Sequence, residues 1–151
     1  MITPILGTPA GGIDVTELTE RAVLAAADDL VAAFAATDTE AYFAAFAPDA
    51  TFCFHTEAAR LDDRAAYEAL WKSWLADGWR VVACASTDRK VQLLGDTAIF
   101  THTVRTTVRP ETDAPEETYS ERETIVFAAA GADGLRAVHE HLSPIPQESA
   151  R

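Results

Sequence analysis

Near Trp79 the periodicity of the chain changes: upstream, apolar residues recur at three- and four-residue spacing, and downstream they alternate with polar ones over long runs. A first half with the helical period and a second half with the strand period place helices first and a run of antiparallel strands afterward. That order predicts an α+β domain with its helices packed on one face of the sheet.

The helical half divides into three. Asp14-Val15-Thr16-Glu17 has the D-x-x-E form of a capping box, and Val23, Ala27, Leu30, Val31 and Phe34 follow at helical spacing. Thr37-Asp38-Thr39-Glu40 breaks and restarts the pattern, so Tyr42, Phe43 and Phe46 line a short second helix ending before Pro48. A short aromatic strand is predicted over Thr51–His55. Asp62 then caps a third helix in which Tyr67, Leu70, Trp71, Trp74 and Leu75 form one stripe until Asp77-Gly78 stops it. The strand half reads as Trp79–Thr87 with Val91–Leu94, Thr97–Arg109, Thr118–Ala129 and Leu135–Ser143. Gly95-Asp96, the acidic 110–115 loop and the Gly131–Gly134 turn separate these runs.

At 151 residues the chain has room for one sizeable core. The expected organisation is a loose N-terminal arm (1–13), a single domain (14–145) and a polar tail (146–151). Twelve Lys and Arg against 24 Asp and Glu give a net charge of −12, whose field repels phosphate backbones and anionic lipid heads. Nucleic acid and membrane surfaces are excluded as partners on that ground, although a local basic pocket is not. Cys53 and Cys84 lie in β-like apolar runs without C-x-x-C spacing and read as buried free thiols. Met1–Gly12 resembles neither a signal peptide nor a membrane span, so a cytoplasmic protein is expected. No Gly-rich phosphate loop, nucleotide fingerprint or Ser/His/Asp order is present, and no cofactor is expected.

Several pieces together resemble the nuclear transport factor 2-like superfamily, within it the SnoaL-like domains and the association (hub) domain of calcium/calmodulin-dependent protein kinase II. They are two N-terminal helices, a strand opened by Pro48-Asp49-Ala50-Thr51, the third-helix run Tyr67-Glu68-Ala69-Leu70-Trp71, and the terminal Val138-His139-Glu140-His141-Leu142-Ser143. Leu94-Gly95-Asp96 followed by Val104-Arg105, and Ser120-Glu121 with Glu123-Thr124 and Val126-Phe127, extend the likeness over Ala22–Ser143. The resemblance implies three N-terminal helices on a curved antiparallel sheet, a conical pocket between them, and a homodimer.

The candidate residues follow from strand parity and from that resemblance. His139 and His141 share one strand face, the geometry of a metal or proton-transfer site, with His55 and His102 as possible completions. One H-x-H without a third ligand at fixed spacing is a weak metal signature, so no metal is expected and a cross-sheet or dimer-seam role is favoured. His102 falls on the Ala98, Phe100, Val104 side of its strand and reads as a satisfied core histidine. By resemblance Arg105 projects into the cone as a cation for an anionic ligand group, its alternative being a surface arginine. Tyr119, Glu121, Glu123, Ile125 and Phe127 share one face of the next strand, and Ser120, Arg122, Thr124 and Val126 the other. The hub resemblance turns the Glu123 side to the cone; the Arg-x-Thr pattern of many SnoaL-like sequences turns Arg122 there instead.

Glu123 with its neighbour Glu140 is a candidate general base, or half of an Arg105–Glu123 bridge that braces the pocket. In ketosteroid isomerases the catalytic Asp corresponds to Phe54 and the first-helix tyrosine falls in an Ala/Val/Phe stretch here, so that isomerisation is disfavoured and His55 is the displaced candidate base. Asp63 replaces a hub histidine and changes the charge of a hub-like anion site. Trp71 and Trp74 read as core before ligand platform.

The expected function is a small-molecule-binding SnoaL-like domain for an apolar or carboxylate-bearing metabolite. Its enzymatic form is a cofactor-free isomerase, cyclase or dehydratase, with His55 or Glu123 as base and Arg105 or Tyr119 stabilising negative charge. A non-catalytic ligand-binding or oligomerisation domain is the alternative.

Overall fold

A computed structural model describes residues 18–146. The expected arm, the Asp14–Glu17 capping box and the end of the tail lie outside the described residues. Helix α1 (Glu20–Ala35) buries Val23, Ala27, Leu30 and Ala33 and is capped by Thr19, whose Oγ1 accepts from the Ala22 N–H at 3.0 Å. Helix α2 (Thr39–Ala44) is capped in the same way by Asp38. It ends before Phe46, which instead opens strand β1 (Phe46–Phe54), longer than the expected Thr51–His55. β1 is an edge strand, so Pro48 removes no necessary ladder bond, and the register shifts between Phe46 and Thr51 around it.

Helix α3 (Arg64–Ala76) is capped by Asp63, not Asp62. Asp63 Oδ1 accepts from the Ala66 N–H at 2.8 Å, while Asp62 takes the Arg60 guanidinium. Gly78 ends this segment at φ +94°, where a Cβ would stand 2.0 Å from Thr112 Oγ1, so only glycine fits.

Strands β2 (Arg80–Leu94), β3 (Thr97–Arg109), β4 (Glu117–Ala129) and β5 (Leu135–Pro144) form an antiparallel meander. The expected gap after Thr87 is an irregularity within one long strand, with Asp88 at φ +53°. The five-stranded sheet runs β1-β5-β4-β3-β2, and β1 pairs parallel with β5. The all-antiparallel expectation is corrected at that edge, because β1 precedes α3 and the meander returns to it only through its last strand. The α+β class and the three-helix, curved-sheet arrangement hold.

The core is aromatic on the helix side: Tyr42 stacks on Trp71 at 4.9 Å between centroids, and Phe52 meets Tyr67 edge-on at 4.7 Å. Phe100, Ile125 and Phe127 face it from the sheet. No helix among the described residues is long and apolar enough to cross a membrane.

Candidate functional site

Between the helices and the sheet opens a cavity of about 770 Å³, walled by Phe34, Phe54, Tyr67, Trp74 and Trp79 and, from the sheet, by Val108, Tyr119 and Glu121. His55, the first residue after β1, stands in the same wall. Its Nε2 lies 2.5 Å from Glu121 Oε2, with side-chain exposures of 32% and 11%. Alternation on β4 produces this pairing: Glu121, Glu123, Ile125 and Phe127 are buried toward the helices, and Arg122 is exposed on the other face.

Deeper lies a pocket of about 40 Å³ that shares Phe34, Tyr67, Tyr119 and Glu121 with the larger one and reaches Glu123 and Glu140. The β3–β4 register sets His102 directly opposite Glu123. A buried chain of hydrogen bonds results: Ser86 Oγ to His102 Nδ1 at 2.6 Å, and His102 Nε2 to Glu123 Oε1 at 2.6 Å. Glu123 is hydrogen-bonded to Glu140, whose Oε1 accepts from the Tyr42 hydroxyl at 3.5 Å, and Tyr42 meets Tyr67 at 3.0 Å.

Burial, then the Glu123 charge, holds the Glu140 carboxyl well above its ordinary range. Burial raises Glu123 too, against its hydrogen bond with Glu140. Burial and the Arg89 cation push His102 down to about 4, so its imidazole is neutral at pH 7. Glu140 therefore carries the proton that the two carboxyls share. Glu123 accepts from Glu140 and from the His102 Nε2–H, and Ser86 donates to Nδ1.

The sign of the pH dependence follows. Folded Glu140 keeps a proton that the unfolded chain releases above about pH 4.3, so its contribution to stability is full below that pH and is lost as pH rises toward the raised folded value. Glu140→Gln removes this loss. Urea unfolding is expected to find the variant equal to the parent near about pH 4 and about 1–2 kcal/mol more stable near about pH 8. A variant less stable at the higher pH would contradict the protonated assignment.

The other sequence candidates fall in different places. Arg105 lies at the cavity margin but is exposed and has outward parity, opposite Ser120 in the ladder, so the Arg105–Glu123 bridge does not form. The two residues are on opposite faces of the sheet. Tyr119 lines the cavity and is 39% exposed. Trp71 is buried in the aromatic core away from the cavity wall, and Asp63 is spent on capping α3, so neither is placed to touch a ligand. His139 and His141 are on the outer face of β5; neither His55 nor His102 joins them.

Sequence reasoning passed over Glu121, Tyr42, Tyr67 and Ser86 as site residues. Glu121 carried a readable signal, since it shares the face of Glu123 two positions away. Ser86 carried none without the β2–β3 register.

A search of curated proteins finds no match to this chain. Among solved structures, the CaMKII hub of S. rosetta is similar at 29% identity and a TM-score of 0.64, covering 83% of this chain and 95% of the hub. A nuclear transport factor 2 (NTF2-like) superfamily protein from Salmonella enterica serovar Typhimurium matches at 13% identity and a TM-score of 0.74, covering 89% and 94%. A ketosteroid isomerase-like protein from Erwinia carotovora atroseptica matches at 15% identity and a TM-score of 0.71, covering 86% and 100%. The last two likenesses establish the fold alone. The model of the SnoaL-like domain family matches residues 23–148, nearly all of the described sheet and helices, and by that match the chain belongs to the SnoaL-like domain family.

Proposed function

We propose that this domain binds an apolar small molecule in the 770 Å³ cavity and acts on it by cofactor-free acid/base chemistry of the isomerase, cyclase or dehydratase kind. The observation that carries this reading is the His55–Glu121 pair set in a cavity wall that also carries Phe34, Phe54, Tyr67, Trp74 and Trp79. A free imidazole nitrogen accepts a proton from a carbon acid, and the carboxylate on the other nitrogen holds the ring and stabilises the imidazolium that forms. Negative charge developing on the substrate meets a phenol donor. Partial burial and the Glu121 charge push Tyr119 up to about 12, so it remains protonated; burial raises Tyr67 too, but its proton is given to Tyr42.

Glu123 serves in this reading as part of the buried support beneath the base. The carboxyls of Glu121, Glu123 and Glu140 favour a neutral ligand, with any carboxylate group directed to the Arg105 margin.

The test is a titration of histidine-labelled protein with 2-naphthol, followed by NMR of its four imidazoles. The His55 signals are expected to shift saturably while those of His139 and His141 stay in place. Shifts confined to the outer pair, or none, would remove the proposed site. Self-association is a second property supported by exposed Val82, Leu93 and Leu94 on β2 and by the hub likeness. A monomer in sedimentation at micromolar concentration would dismiss it.

A further inference from the structure

The outer face of the β1–β5 pair holds a cluster that the cavity chemistry does not use. Alternation on β1 buries Phe52 and Phe54 and turns Thr51 and Cys53 outward. On β5 the irregularity beside Ala137 leaves Glu140 buried and His139 and His141 on the outer face. The parallel register then pairs Thr51 with His139 and Cys53 with His141. One ligand atom each from Cys53, His139 and His141 lie within 4.8 Å of one another, and the two imidazole centroids are 6.1 Å apart.

We propose that Cys53, His139 and His141 form a binding site for a zinc-class divalent transition ion. Tetrahedral zinc with bonds of about 2.0–2.3 Å needs ligand atoms roughly 3.3–3.8 Å apart, so closing this cluster takes side-chain rotation of about 1 Å and no backbone movement. Thiolate and imidazole donors select zinc-class ions over magnesium or calcium. Thr51 Oγ1 lies 2.8 Å from His139 Nδ1; accepting the N–H there, it fixes the ring and leaves the Nε2 lone pair for the metal. A surface depression of about 310 Å³ touching Cys53, His141 and Glu57 gives an entry path and room for a fourth ligand. Arg60 lines the same depression, with its guanidinium neutralised by Asp62.

The bound ion would tie β1, an edge strand whose only sheet neighbour among the described residues is β5, to the rest of the sheet. The site is independent of the acid/base reading, and either stands if the other fails.

The experiment titrates tag-free, metal-stripped, reduced full-length protein with Zn²⁺ against a chromophoric chelator, and with Co²⁺ by absorption. Expected are stoichiometric uptake with a Kd at or below about 1 µM, a thiolate-to-cobalt charge-transfer band, and a higher Tm with zinc. Cys53→Ser should abolish the band. His141→Gln, at an exposed position, should keep the fold and weaken zinc about 100-fold or more, and Thr51→Val should weaken it about 10-fold. Absence of stoichiometric uptake, or parent affinity retained in both Cys53→Ser and His141→Gln, would overturn the site.

Discussion

Trp71→Ala is expected to lower folding stability by about 3–5 kcal/mol, the largest loss of any single substitution considered for this chain. Trp71 is 1% exposed, stacked on Tyr42 and edge-on to Phe43 at 5.3 Å and Trp79 at 4.9 Å. Its indole N–H donates to Thr39 Oγ1 at 2.9 Å, so one side chain joins α3 to the start of α2 and to the segment that enters β2. Truncation leaves a void that rigid rings on three sides do not collapse into, and it removes the indole hydrogen bond to Thr39. Trp71→Phe keeps most of the volume and should cost well under half as much. Trp74 is half-exposed in the cavity wall, so Trp74→Ala should cost less in stability and act on 2-naphthol binding instead. Chemical denaturation of the three variants checks the ranking. A Trp71→Ala loss below about 1 kcal/mol would mean that the aromatic cluster is not the core.

The part of this architecture that reads directly from the chain is the part set by local periodicity. The Tyr67–Leu75 stripe specifies α3 and its buried side, and two-residue alternation puts Glu121 and Glu123 on one face of β4 and Arg122 on the other. What periodicity does not carry is how one strand is set against the next. The His102–Glu123 opposition depends on the β3–β4 register, and the parity of β5 on the irregularity between Val126 and Phe127. The His55–Glu121 contact spans 66 residues and follows from β1 joining the sheet parallel to its last strand, a non-local pairing with no local signature. The same pairing brings Cys53 to the H-x-H motif, so the third member of that cluster has no signature within either strand alone.

Charge shows the same division. The balance of −12 describes the whole chain, and the expectation of a cationic interior rested on Arg105. Arg105 has outward parity, and the buried titratable residues on the sheet side of the deep pocket include His102, Glu121, Glu123 and Glu140. Charge in that interior is lowered by the proton held on Glu140 and by the neutral His102 imidazole, not by an arginine.

His55, backed by Glu121, is the proposed base at the wall of the cavity. The most direct measurement is the rate at which the protein eliminates 5-nitrobenzisoxazole, an apolar bicycle of cavity size. Loss of its C3 proton to a base breaks the N–O bond and releases a coloured 2-cyano-4-nitrophenolate. Because Glu121 preorganises the base at the cavity wall, the parent should turn over saturably and faster than free imidazole at equal concentration. His55→Ala should lower kcat/KM by about 100-fold or more, and Glu121→Gln by roughly 10- to 100-fold with little change in KM, since the imidazolium then loses its counter-charge. Asp63→Asn, at the α3 cap outside the cavity, should leave the rate unchanged. That pattern, in variants that keep the parent far-UV spectrum, is the predicted result; a His55→Ala protein that retains the parent rate contradicts the assignment.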